Sequence, residues 1–248
     1  MNVRFRYESE MTQLATAAAP WWWPRGLDHD FVAAEIVGPD AIADLVGIRF
    51  DKRRLAAREA EGIAPVVDVL ALHAILACRG RVMTTSELSD VCHVTPSGMR
   101  RGLAIAVEAN AMIREGRGRY ACHPAWAPVG ARMVAVELKL ENWRAAFCQA
   151  EAYSRWAHAT WTVLARTPPA EASAHAAVEG LGLAVLRTDG RIERLVRPRA
   201  VRRPRMGWAA LWASEQALAR ALSAGYRTEV TAPPATPVGA AVASPRSA

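Results

Sequence analysis

The chain has 248 residues, 52% of them hydrophobic and 22% charged, with a formal net charge of +7. That length and balance suit one large or two small globular domains with real cores, and the basic excess favours a polyanionic partner. No run of about 18 apolar residues is present, which argues against a membrane span. The first seven residues are followed by no apolar stretch of the secretory kind, so the expected compartment is cytoplasmic. Cys78, Cys92, Cys122 and Cys148 sit in apolar contexts and read as reduced, buried thiols. The pairs Cys92-His93 and Cys122-His123 lack the C-x2-C or H-x3-H spacing of a zinc site and read as core and surface residues.

In chain order, residues 8 to about 19 carry Met11, Leu14 and Ala18 at helical spacing and predict a short helix. Pro20 and Pro24 bracket Trp21, Trp22 and Trp23 and are expected to end it. The three tryptophans read first as packing between elements, and second as a stacking surface for unpaired bases. Two apolar runs, 31–37 and 42–50, flank Gly38-Pro39-Asp40 and predict a β-hairpin. Residues 51–61 are densely charged and suit an exposed helix or linker.

From residue 66 to about 124 the pattern changes. Val67, Leu70, Leu72, Ile75 and Leu76 form the apolar face of a first helix, stopped at Gly80. Thr84-Thr85-Ser86-Glu87 caps a short second helix. Thr95-Pro96-Ser97 caps a third, which runs to about Asn110 with Met99, Leu103, Ile105 and Val107. Residues 112–120 predict two short strands around a basic tip containing Gly116, Arg117 and Gly118. Three helices followed by a basic hairpin resemble a winged helix-turn-helix. The resemblance implies that Ser97, Arg100 and Arg101, early in the third helix, meet a DNA groove. It also implies that Arg114, Arg117 and Arg119 of the wing meet phosphates or the minor groove. The other use of such a module is to bind a protein.

An α/β pattern then resumes. It predicts a strand at 133–140, a helix at 142–156, a strand at 160–165 and a helix at 170–179. A second hairpin follows, 181–187 with 191–196, around Asp189-Gly190, and then a terminal helix at 207–223. Arg194, Arg197, Arg199, Arg202, Arg203 and Arg205 form a basic stretch that reads as a phosphate track or a charged loop. Residues 227–248, mostly Ala, Pro, Ser and Val, predict disorder.

The chemistry is concentrated in Val134-Ala135-Val136-Glu137-Leu138-Lys139-Leu140. An apolar strand with charges at i and i+2 places both on one face, while Val136, Leu138 and Leu140 fill the other, and buried charges need compensation. Upstream, Asp44 is a lone carboxylate in a second apolar strand; downstream, Gln149 and Tyr153 stand four apart on one helical face. A strand Asp, a strand Glu-x-Lys and a helical Gln-x-x-x-Tyr, in that order, resemble the PD-(D/E)xK nuclease superfamily, and the last element resembles its RecB-like branch. The Pro expected before the first motif Asp is absent, with Ala43 in its place, and the gap to Glu137 requires an inserted domain.

The resemblance implies a restriction-endonuclease-like α/β fold, a mixed sheet flanked by helices. Its core would comprise residues 1–60 and 130–226, with a winged helix inserted at 64–126. It implies Mg2+ or Mn2+ held by Asp44, Glu137 and the Leu138 carbonyl, with Lys139 positioning or deprotonating a water and Gln149 and Tyr153 supporting the site. An acid from the first helix also joins in many members. Glu8 is the first choice, with Glu10 and Glu35 as rivals. The implied activity is metal-dependent hydrolysis of DNA; the alternative is a catalytically inactive DNA-binding regulator on the same scaffold. DNA is the expected partner, and a homodimer is left open.

Overall fold

A computed structural model of the chain describes residues 5–23 and 29–227. Six strands build one mixed sheet: β1 (Phe31–Val37), β2 (Ile42–Phe50), β6 (Gly130–Lys139), β7 (Ala159–Leu164), β8 (Gly182–Leu186) and β9 (Ile192–Val196). They lie side by side in the order β1-β2-β6-β7-β8-β9. The three central strands run parallel, joined by the crossover helices α7 (Trp143–Ser154) and α8 (Ala170–Glu179). The two outer hairpins are antiparallel, as expected from their turns. Every residue of β7 and β8 is buried, which is why β8 is apolar without alternation, while β7 carries Thr160 and Thr162 buried on one face.

Helices cover both faces. α1 (Glu8–Ala17) and α2 (Ala19–Trp22) pack with Val134, Val136 and Leu138. On the other face α7 and α9 (Gly207–Ser223) pack with Met133 and Ala135. The first helix ends at Ala17, before Pro20 as expected, but a second short helix, α2, follows at once. Pro20 stands at the start of α2, where its missing N–H costs nothing. Trp22 and Trp23 are buried over Gly47, where a Cβ would lie 2.6 Å from the Trp22 ring. Packing, the first of the two readings, accounts for both.

The chain leaves the sheet at Phe50 and returns at Gly130, and these two residues pair across β2 and β6. Between them come α3 (Lys52–Ala60), α4 (Val69–Ala77), β3 (Met83–Thr84), α5 (Thr85–Val91), α6 (Pro96–Glu108), β4 (Met112–Arg114) and β5 (Arg119–Cys122). Of the two readings of 51–61, an exposed helix or a linker, the helix is the one found; Asp51 caps it, and it buries Leu55 and Arg58. Residues 63–126 carry a core of their own that includes Leu72, Ile75, Leu88, Met99 and Leu103, completed by Leu211 of α9. Both expected caps form: Thr84 and Glu87 make a reciprocal capping box, and Thr95 Oγ1 accepts from Gly98 N–H.

Some details differ from these expectations. Val67 lies before α4 and is exposed, and the segment gains a third strand, β3, which pairs with β5. Of the four cysteines expected to be buried only Cys78 is; Cys92 and Cys122 are half-buried, and Cys148 is exposed because it faces outward on α7. Apart from Arg227, the tail at 227–248 lies outside the described residues, as does Pro24. No helix among the described residues is long and apolar enough to cross a membrane.

Candidate active site

Asp44 sits where β2 and β6 part. The ladder between the two strands ends at Leu45–Val136, so Leu138 N–H has no strand partner on that side. The Asp44 carboxylate takes that role and accepts from Leu138 N–H at 2.7 Å. Asp44 and Glu137 thus come from neighbouring strands onto one sheet face. Leu138 turns to the opposite face with Val136 and is buried there.

Glu137 is fully buried. Its Oε2 lies 2.7 Å from the Tyr153 hydroxyl, which is also 2.5 Å from the Ile42 carbonyl. One phenolic proton therefore faces two acceptors. A proton on Glu137 resolves the conflict: the carboxyl donates to Tyr153 Oη, and Tyr153 donates to Ile42. Glu137 Oε1 is 2.9 Å from Lys139 Nζ, so the ammonium is the charged partner of this buried oxygen. Lys139 also pairs with Glu8 Oε2 at 3.1 Å. Glu8 opens α1, so this contact ties the first helix to the end of β6.

The three rival acids are thereby separated. Glu8 touches Lys139. Glu10 instead accepts from Arg6 N–H, just ahead of its own helix. Glu35 makes no hydrogen bond to the group, but it lies between the Ala34–Leu45 and Ile36–Ala43 pairs of the β1–β2 ladder and its charge bears on Asp44. Its φ of 53° is in the left-handed region, which a non-glycine residue adopts at a cost of about 1 kcal/mol or more. Arg220 of α9 donates to the carbonyls of both Ala34 and Glu35 and holds that turn. No local sequence signal marks this strain. Gln149 lies half-buried one turn before Tyr153 on α7, as expected from the spacing.

Burial pushes the Glu137 carboxyl up from 4.5 to about 7, and the nearby Asp44 charge adds to the rise. Burial also raises Asp44, against the opposing pull of the Leu138 N–H and Lys139. For Lys139, burial alone would lower the pKa, but the Glu137 and Glu8 carboxylates outweigh it and hold the ammonium above its ordinary range. Burial and the Glu137 charge hold the Tyr153 phenol protonated throughout. Lys139 is therefore a fixed cation beside two carboxylates that resist sharing one buried space.

A consequence for stability follows from the sign of these shifts. Between about 4.5 and 7 the native Glu137 keeps a proton that the unfolded chain releases. Its contribution is complete at the acid end and is lost as pH rises through about 7. Asp44 shifts in the same direction. Thermal melts in EDTA should show Tm falling across this window, and Glu137→Gln should flatten the fall. A Tm that climbs with pH there, equally in both proteins, would refute the buried, proton-holding Glu137.

The site fits a divalent cation in its donor chemistry. Two carboxylates that repel each other in a buried space, as Asp44 and Glu137 do, are what a hard cation neutralises. No three His, Cys, Asp or Glu side chains gather as a metal-holding group among the described residues. The implied set needs only two carboxylates and a backbone carbonyl. No family model matches the chain, and neither the curated proteins nor the solved structures yield a match.

Proposed function

We propose that this protein is a divalent-metal-dependent nuclease of the PD-(D/E)xK kind, hydrolysing DNA phosphodiester bonds, with residues 64–126 acting as an inserted winged-helix DNA-binding module. The observation that carries the reading is the meeting of Asp44, Glu137 and Lys139 at the end of two adjacent strands, with Glu137 fully buried. The order α1-β1-β2, then β6-α7-β7, supports it, as does the Tyr153 contact with Glu137.

Asp44 and Glu137, with the Leu138 carbonyl, would hold Mg2+ or Mn2+. Such an ion, when bound, makes a coordinated water acidic and neutralises charge on the phosphate. Leu138 N–H fixes the Asp44 carboxylate, and Tyr153 fixes the rotamer of Glu137. The raised pKa of Lys139 favours a point charge that steadies negative charge on the phosphate over a general base. Glu8 holds the Lys139 ammonium in place, and Gln149 is positioned by α7 to support a phosphate or the metal's water shell.

Purified protein incubated with plasmid and with single-stranded DNA, with and without manganese, tests the proposal. Metal-dependent cutting that disappears in Asp44→Ala supports it. DNA binding without cleavage in any metal would favour the inactive regulator instead.

The DNA contacts are assigned to the exposed Ser97, Arg100 and Arg101 on the first turns of α6, and to the exposed Arg114, Arg117 and Arg119 on the β4–β5 hairpin. If the hairpin arginines meet phosphates, replacing all three by alanine should lower the slope of log affinity against log salt by about 0.9 for each phosphate no longer neutralised. The fold should survive these changes, because all three side chains are exposed. Fluorescence anisotropy over a salt series reads the slope, and an unchanged value would remove the hairpin from the DNA interface.

A further inference from the structure

A cavity of about 660 Å³ lies where the 63–126 segment meets the six-stranded sheet, within the range of about 300–1,000 Å³ typical of small-molecule sites. Leu76 and Arg79, at the end of α4, line one side. Met133 of β6, His158 just before β7, Arg203 in the loop ahead of α9 and Trp208 on the first turn of α9 line the rest. The cavity belongs to neither Asp44 nor Lys139: Met133 is four residues, about 13 Å at strand rise, before Glu137.

Its chemistry is specific. Trp208 is 36% exposed. It is braced by stacking on Trp212 with centroids 6.4 Å apart, and by the His73 ring edge-on at 5.6 Å. That gives a rigid aromatic plate facing open space. Arg79 and Arg203 are exposed, and neither forms an ion pair among the described residues. Met133 N–H donates to His158 Nδ1 at 3.1 Å, so the neutral ring carries its proton on Nε2. Burial, with Arg132 nearby, lowers the His158 pKa and keeps the ring neutral. The cavity therefore combines apolar walls, an aromatic plate, two guanidinium groups and one neutral N–H donor. These groups complement a flat heteroaromatic body joined to a phosphate.

We propose that this cavity binds a nucleoside monophosphate unit, its base against Trp208 and its phosphate between Arg79 and Arg203. The unit is either a free mononucleotide or the 5′-phosphorylated end of a strand. This site requires no metal and stands whether or not the nuclease reading holds. The test uses the full chain in EDTA, which silences metal-dependent cleavage. AMP should quench tryptophan fluorescence and raise Tm, and adenosine should bind at least about tenfold more weakly for want of the charge-assisted contacts. The double variant Arg79→Ala/Arg203→Ala, with both changes on exposed side chains and its fold checked by circular dichroism, should weaken AMP binding by a similar factor. Trp208→Ala should weaken AMP and adenosine alike. A single-stranded oligonucleotide with a 5′-phosphate, compared with its 5′-hydroxyl twin, separates the sources: a preference that vanishes in the double variant assigns the strand end, and binding of AMP alone assigns the free nucleotide. The proposal is overturned if neither phosphorylated probe outbinds its unphosphorylated counterpart, or if the double variant binds AMP as the parent does.

Discussion

On the proposed nuclease reading, Glu137→Gln should fold at least as well as the parent chain above neutral pH, yet cleave DNA at least about 100-fold more slowly. The reason lies in the one proton that Tyr153 offers to both Ile42 and Glu137. A glutamine amide mimics the protonated carboxyl: its NH2 donates to Tyr153 Oη, Tyr153 donates to Ile42, and the amide oxygen faces Lys139. The substitution also removes the buried charge that opposes Asp44. Stability gained where function is lost is the pattern expected of an active-site carboxylate. Lys139→Ala should lose cleavage by a comparable factor, but with a lower Tm, because Glu8 and Glu137 are left without their shared cation. Plasmid-nicking rates in manganese, together with melts of the same preparations, check both. Cleavage by Glu137→Gln within a few fold of the parent would place the chemistry elsewhere.

Glu215→Ala should destabilise the fold by about 3–5 kcal/mol, the usual result of stripping one partner from a buried ion pair. Arg58 and Glu215 are both fully buried, joined by two hydrogen bonds of 2.6 and 3.0 Å. Glu215 also accepts from Val66 N–H at 2.8 Å, and Arg58 donates to the Ala64 carbonyl at 3.1 Å. The pair thus pins α3, α9 and the entry to the 63–126 segment at a single point, with Trp126 beneath the guanidinium. Set against a total stability of about 5–15 kcal/mol for a domain, that cost is large. The double change Arg58→Met/Glu215→Leu should recover much of it, since no lone charge remains buried. Urea unfolding curves measure both, and a cost for Glu215→Ala under about 1 kcal/mol would contradict the buried pairing.

Much of the site was visible in the sequence because its signals are local. Charges at i and i+2 in an apolar strand announce a shared face, and four-residue spacing does the same for Gln149 and Tyr153. The caps at Thr84 and Thr95 follow the same short-range logic. Glu35 was harder, since a left-handed residue in a strand depends on what clamps it, and Arg220 lies 186 and 185 positions from the carbonyls it holds. Arg58 read as one more charge on an exposed helix; nothing nearby in the chain foretells a carboxylate 157 positions away. Arg194, read as part of a basic track, instead lies over the Trp21 ring at 4.8 Å.

By itself the sequence determined most of the helices and strands, though not the short α2 and β3, and the identity of the charged residues on the inner face, because period and capping act over a few residues. The tertiary structure alone decided which of those charges meet. Only folding brings Asp44 to Leu138 across 94 positions and Glu8 to Lys139 across 131. Such contacts are set by strand order and helix packing, for which no local pattern is written.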